Sequence, residues 1–553
     1  MDGKPAMRPP RRPPLPSSKR SAVWLVGLLV ALCFFTLPLL LALSRGRPNL
    51  SDVSKMSISV TARHEDETST QAEANSDPAA PGIREQRDRD RLLGGLLSPD
   101  ISESTCHSRY RSSLHRKAPS PHSPSPYLVS RLRKYEALHR KCGPGTLFYK
   151  KSLMQLTSAH SMGLVDCNYL VWAPSSHLGD RVLSMASAFL YALLTRRVFL
   201  VHVTGDMAGL FCEPFPGASW ELPSGFLVPN LTQLHRGSDS SYGNLLRANK
   251  VPAGVRGESL PSYAYVHLEH DHQQPDQLFF CDDDQTVLSK VNWLILRSNL
   301  YFTPGLFLVP QFEDELRWMF PARSTTFHHI GRYLFHPSNK VWDVITRYHA
   351  SYMASYQEKI GLEITTFAWN PVPPDEYLKQ ITACTSQEKI LPDVVDPASS
   401  VAHEEVSAAS KAVLVSSAQP EYAEKLKSMY YEHGTVTGET VGVLQPGAGK
   451  LPKNEKALVE MFLQSFCDVS VVSGWSTVGY VGHGLAGIKP WLLLPPSNKT
   501  AVDPPCVQAA SMDPCFHAPP SYDCRAKKNG DLGAVLRHVR HCEDVGSGLK
   551  LFD

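Results

Sequence analysis

Apolar and polar residues fall in blocks along this chain, and the block lengths predict its elements. Ala22–Leu43 is one uncharged, mostly apolar run. At 1.5 Å per residue it suits the core of a bilayer. A polar stretch rich in Ser, Pro and mixed charge follows to Pro126, and from Tyr127 the composition becomes that of a globular head. Asn168–Ala173 (NYLVWA) predicts a buried strand, Ser175–Arg181 a loop, Val182–Leu194 a helix that is apolar nearly all round, and Val198–Val203 a second buried strand. Strand, short loop, helix and strand make a βαβ unit, which implies parallel pairing and a right-handed crossover. The second half repeats the pattern. Strands are predicted at Lys411–Ser416, Val441–Leu444 and Val469–Ser473, with helices at Glu421–Glu432 and Asn454–Phe466, and Pro490–Leu494 closes the unit. Two such units in tandem predict an α/β fold of two Rossmann-like lobes facing a cleft.

Charge changes this picture at the N-terminus. Lys4, Arg8, Arg11, Arg12, Lys19 and Arg20 precede the apolar run against a single Asp2, and only Arg45 and Arg47 follow it closely. The positive-inside rule then keeps residues 1–21 in the cytosol, makes 22–43 a signal anchor and places the rest in a lumen. The alternative, a cleaved signal peptide, has a shorter apolar core. Residues 44–126 are expected to be a disordered stem, because REQRDRDR at 84–91 and SPHSPSP at 120–126 bury too little apolar area to offset chain entropy. Residues 127–355 then form an N-terminal, acceptor-side lobe. Residues 356–553 form a nucleotide-sugar lobe with a Cys-rich tail. Lys and Arg number 56 against 53 Asp and Glu, so nothing points to nucleic acid. Eleven of the twelve cysteines lie beyond the span, which suits an oxidising lumen and leaves at least one unpaired. Cys506, Cys515, Cys524 and Cys542 are read as staples of the tail, and without a CxxC pair no zinc site is expected. Asn49, Asn230 and Asn498 each begin an N-x-S/T sequon.

The chemistry is expected where strands feed helices. The loop Ser175–Arg181 lies at the carboxyl edge of a strand and the start of a helix, where open α/β sheets bind ligands and helix N-termini favour phosphate. Gly179 admits close backbone approach, and His177 and Arg181 can donate to an anion. The alternative is purely structural, with Asp180 as a cap and Arg181 paired. SGWSTVGY at 473–480 is the corresponding turn of the second lobe. Neither GxGxxG nor GxxxxGK[ST] occurs. A tandem pair of such lobes is the architecture of a nucleotide-sugar transferase of the GT-B type. The rival motif is the D-x-D of Asp282 and Asp284, which could hold a divalent metal. The competing reading is that this acidic run starts a helix through QTVLSKVNWLIL.

Longer segments carry a family likeness. FCEPFPGASWELP at 211–223, HHIGRYLFHPSNKVW at 328–342, TVTGETVGVLQP at 435–446 and SGWSTVGYVGHGLAGIKPW at 473–491 resemble the plant xyloglucan (galactoside) α-1,2-fucosyltransferases. The likeness runs from about Tyr127 to the C-terminus. It implies a type II Golgi membrane protein that needs no metal. It implies inverting transfer of L-fucose from GDP-fucose to a galactose of a cell-wall polysaccharide (xyloglucan-like) or of an arabinogalactan-type or other glycoprotein glycan. Other glycosyltransferases are possible partners. On this resemblance His177, Gly179, Arg181, Thr365, Ser473, Ser476 and Thr477 would meet the donor, and Asp180 could be the base for the acceptor hydroxyl. Three positions depart from the family pattern: Asp180 and Asn299, and Thr365, which stands where the family carries an arginine. Besides a fucosyltransferase, these departures allow a catalytically weakened homologue that binds glycans or partner transferases, or a transferase with an altered donor or acceptor.

Overall fold

The computed structural model describes residues 91–157, 166–248, 250, 260–369, 371–395, 409–446, 451–495, 502–533 and 538–553. The expected anchor at 22–43 and the sequons at Asn49 and Asn498 lie outside the described residues. No described helix is long and apolar enough to cross a membrane.

The first sheet is built from β1 (Asn168–Ala173), β2 (Arg197–Val201), β3 (Tyr263–Leu268) and β4 (Trp293–Ser298), in the order β2-β1-β4-β3. All its pairs are parallel. The second sheet is built from β5 (Glu358–Ile364), β6 (Ser410–Ser417), β7 (Thr440–Leu444), β8 (Val469–Ser473), β9 (Trp491–Leu493) and β10 (Cys506–Gln508), in the order β10-β9-β8-β5-β6-β7. It is parallel except for the β9–β10 pair. Both sheets are covered by helices, so their strands read as continuous apolar runs rather than alternations. Five helices position the site: α1 (Leu178–Thr195), α2 (Thr326–Leu334), α3 (Pro374–Gln387), α4 (Lys453–Gln464) and α5 (Thr477–Ala486). α1 is buried nearly all round because it packs on the first sheet, on α2 and on α5 of the second lobe.

Three expectations are corrected. Part of the stem is not a stem. Leu93, Leu96 and Leu97 are in the core, Cys106 is bonded to Cys212, and Ser125 caps the helix Pro126–Cys142 by accepting from the Leu128 N–H. A few leucines and one disulfide suffice to seat residues whose average composition is polar. The Cys-rich tail is not a local knot of the second lobe. Cys515 pairs with Cys542 inside it, but Cys524 reaches Cys281, Cys506 reaches Cys384, and the Ser324 N–H donates to the Asp553 carboxylate at 3.2 Å. The tail thus crosses back over the first lobe. Third, the acidic run does start a helix, but it ends at Leu288, and Trp293–Ser298 of the same apolar stretch is β4. Cys142–Cys167 is the fifth disulfide, and the cysteine left over among the described residues is Cys467, which is buried.

Candidate active site

The two strand-to-helix turns meet. A Cβ added at Gly179 would lie 2.5 Å from Thr477 Oγ1 and 3.0 Å from the Val478 nitrogen. The missing side chain is what lets the N-terminus of α1 touch the N-terminus of α5. Two helix dipoles and their free N–H groups converge there, an arrangement suited to an anion.

In the first turn the side chains are mostly occupied. The Asp180 carboxylate accepts from the His177 N–H at 3.3 Å and from the Ser176 hydroxyl, and so caps α1 from its third position. Ser176 itself is in the left-handed region at φ 61°. Arg181 donates to the Ser176 carbonyl at 3.0 Å and to Asp206 at 2.8 Å. Asp206 also accepts from Asn454 of the second lobe at 3.0 Å, so this ion pair ties the lobes together. The hydrogen bonds from Thr204 and Arg181 hold the Asp206 carboxyl below its ordinary value. Asp180 as a cap with Arg181 paired is therefore the geometry found, in place of a free base and a free cation. His177 is exposed at the mouth of the turn.

The second turn is gripped from beneath. Ser473 accepts from the Thr365 N–H at 3.0 Å and from the Tyr377 hydroxyl at 2.8 Å, and donates to the Glu363 carbonyl at 3.2 Å. Ser476 is the N-cap of α5 and accepts from the Gly479 N–H at 3.3 Å. Thr477 opens the helix, against Gly179. Thr365 lies one residue past the end of β5; its hydroxyl donates to Glu363 at 2.6 Å and lies 3.2 Å from the Ser476 hydroxyl. The structure thus brings together Gly179, Thr365, Ser473, Ser476 and Thr477.

Sequence reasoning missed several neighbours. Trp475, at φ 67°, donates its N–H to the Asp544 carboxylate at 2.9 Å and its indole N–H to the Asp544 carbonyl at 2.7 Å. Tyr480 donates to the same carboxylate. His517 lies 3.2 Å from the Tyr480 hydroxyl, and its ring is 5.2 Å from Trp475 and 6.0 Å from His270. Burial pushes the His517 imidazole down to about 4 against the pull of Asp544 and Asp180, so it is uncharged at neutral pH. Asn299, one of the departures, accepts from the His270 N–H at 3.2 Å. Phe367, Trp369 and Trp475 form an aromatic shelf at the end of β5, with ring centroids 5.3 and 5.4 Å apart, and Trp369 is 62% exposed. Asp544 and His517 sit in the tail, with no spacing or periodicity to tie them to a turn 42 to 69 residues earlier in the chain.

The D-x-D lies elsewhere. Asp282 accepts from the Gln311 N–H at 3.0 Å and Asp284 from the Tyr242 hydroxyl at 2.6 Å. They line a cavity of about 540 Å³ with Arg525 and Lys527, which shares no residue with the two turns. Among the described residues, His267, Glu269 and Asp271 bring metal-type donors together, but Arg297 lies 3.3 Å from Glu269 and Arg236 3.6 Å from Asp271, so these carboxylates already have cations.

Glu363 is 4% exposed, and burial pushes its carboxyl up to about 7. Its native form therefore binds more protons than the unfolded chain between about pH 4.5 and 7, so stability falls as pH rises across that window. Carried through, the shift amounts to about 3 kcal/mol. Glu363→Gln is accordingly expected to raise the unfolding midpoint at pH 8.5 and to change it little at pH 5. Thermal unfolding at the two pH values checks this, and an equal effect at both would show that the carboxyl titrates normally.

Residues 50–525 match the family model described as xyloglucan fucosyltransferase. A galactoside 2-alpha-L-fucosyltransferase of Arabidopsis thaliana is 49% identical over 469 residues, covering 84% of this chain and 83% of its own length. One of Pisum sativum is 48% identical over 471 residues, covering 84% and 82%. Among solved structures, a mutant of Arabidopsis thaliana FUT1 in complex with GDP is 50% identical, with a TM-score of 0.78 over 83% of this chain and 100% of that one. With two parallel α/β sheets, converging strand-to-helix turns and this likeness over most of its length, the chain belongs to the xyloglucan fucosyltransferase family of enzymes.

Proposed function

We propose that this enzyme transfers L-fucose from GDP-fucose to a galactose residue of a cell-wall polysaccharide of the xyloglucan type or of a glycoprotein glycan, with inversion. The observation that carries the proposal is the meeting of the α1 and α5 N-termini at Gly179 and Thr477, beside an exposed aromatic shelf. The helix ends and the Ser476 and Thr477 hydroxyls suit a diphosphate, and Phe367, Trp369 and Trp475 suit the flat base. The relatives' names and the GDP bound to the similar solved structure support this donor.

The barrier falls as the departing diphosphate is neutralised by fixed N–H dipoles, which need no rearrangement during reaction. Inversion needs a single displacement, with the acceptor hydroxyl on the face opposite the diphosphate and a base to take its proton. Of the groups beside the turns, Asp180 is occupied as a cap, and His517 is uncharged but, held down to about 4, only a weak base for that proton. Two observations favour slower transfer or a different donor: Arg181 is already paired with Asp206, and Thr365 is neutral.

Five disulfides and the exposed sequon at Asn230 support a lumenal head, and the N-terminal charge pattern supports a type II Golgi anchor. The test is to incubate the full-length protein in detergent with GDP-fucose and a panel of galactosylated acceptors, and to assign the new linkage by NMR. An α-fucosyl galactose is expected; donor turnover without it, or turnover only of other nucleotide sugars, would reject the assignment. Because helix ends and hydroxyls replace a metal here, transfer should persist in excess chelator. Activity that vanishes with chelator and returns with manganese would bring Asp282 and Asp284 back into the mechanism.

A further inference from the structure

Glu363 ends a chain of hydroxyls that leads into the second turn. Its Oε1 accepts from Thr365 at 2.6 Å, Thr365 Oγ1 lies 3.2 Å from Ser476 Oγ, and Ser476 Oγ accepts from the Gly479 N–H at 3.3 Å. The carboxyl is fully buried, and its Oε2 has no hydrogen-bond partner among the described residues. It lies 3.3 Å from where a Cβ on Gly479 would stand, directly under the first turn of α5. Among the described residues no cation reaches it. α4 presents Glu460, paired at 3.7 Å with Lys456; α3 presents the Tyr377 phenol, which donates to Ser473; β8 and α5 present only the Ser473 and Ser476 hydroxyls.

We propose that Glu363 is a positioning residue whose protonation sets the direction of the Thr365–Ser476 hydroxyl chain, so that the donor diphosphate binds together with one proton. This rests on the donor site described above. A hydroxyl has one hydrogen to donate and can accept two. When Glu363 is ionised, Thr365 donates to it and Ser476 donates to Thr365 or to the carboxylate itself, so Ser476 has no hydrogen for a ligand. When Glu363 is protonated, its O–H donates to Thr365, Thr365 donates to Ser476, and the Ser476 O–H points out toward the diphosphate. The proton comes from solvent, no covalent bond changes, and a negative charge beneath an anion site is removed. Burial, which holds the carboxyl up to about 7, puts the change in the physiological range.

The test is GDP binding by calorimetry from pH 6 to pH 8, in buffers of different ionisation enthalpy. Only the protonated fraction binds tightly, so affinity should fall about tenfold over that range with uptake of close to one proton at pH 8. Glu363→Gln should make affinity nearly flat with pH and abolish the uptake. Thr365→Val cuts the chain but leaves the acid, and should also flatten the profile while the pH dependence of unfolding persists. Affinity that falls equally in parent and Glu363→Gln overturns the proposal, as does binding without proton uptake. If GDP fails to bind the parent at any pH, the donor site itself falls, and this inference with it.

Discussion

Gly179→Ala is expected to cut transfer at least about a hundredfold while the protein stays folded. The added methyl would fall 2.5 Å from Thr477 Oγ1, and a hydroxyl can rotate away. It would also fall 3.0 Å from the Thr477 carbonyl carbon and from the Val478 nitrogen, and backbone in the first turn of a helix cannot move alone. The two N-termini must therefore separate. Overpacking of this kind costs about 1–3 kcal/mol of stability, which a fold with five disulfides tolerates. The loss of rate is larger, because misplacing reacting groups by about 1 Å can cost 10²-fold. The measurement is kcat/KM for GDP-fucose beside the unfolding midpoint. Near-parental turnover in a folded Gly179→Ala protein would mean that contact between the turns is not needed for transfer. A variant that is inactive because it is unfolded would be exposed by the midpoint, and Gly179→Ser, with the same Cβ, would then have to fail in the same way.

Much of this site was legible because α/β units advertise themselves. NYLVWA at 168–173 is buried on both faces and so shows an unbroken apolar run, and its predicted bounds are those of β1. The predicted loop at 175–181 was too long, since α1 already begins at Leu178. Leu178 and Gly179 have no helical periodicity of their own, and the helix is started by the Asp180 cap rather than by apolar spacing. WLIL at 293–296 was read as a helix because a short apolar run carries no period to choose between helix and strand. The seating of residues 91–126 depends on Cys106 finding Cys212, and pairing is not encoded in spacing. Glu363 was not singled out in the sequence; only its neighbour Thr365 was, as a departure from the family pattern. Its isolation is a tertiary fact, since β6, β8, α4 and α5 must all close over it before the carboxyl loses water.

The tail holds the second large effect. Asp544→Ala is expected to lower the unfolding midpoint by several degrees and to weaken GDP binding at least tenfold. Asp544 is 7% exposed, and its carboxylate accepts from the Trp475 N–H at 2.9 Å and from the Tyr480 hydroxyl. Alanine leaves the half-buried Trp475 N–H unpaired, at about 1–3 kcal/mol, and the Tyr480 hydroxyl with only the His517 ring at 3.2 Å. It also releases a strained residue. Trp475 holds φ 67°, a left-handed conformation that costs a non-glycine residue about 1–2 kcal/mol, and its N–H bond to Asp544 helps to keep it there. Once freed, Trp475 would relax, tilting both the aromatic shelf and the Ser476 cap away from the diphosphate. Asp544→Asn keeps one acceptor oxygen, so it should retain more affinity than Asp544→Ala. Hydrogen exchange should locate the loosening at residues 474–480 rather than across the sheets. Equal loss in the Asn and Ala variants, or faster exchange spread evenly over β5 and β8, would show that Asp544 supports the fold in general and not this turn.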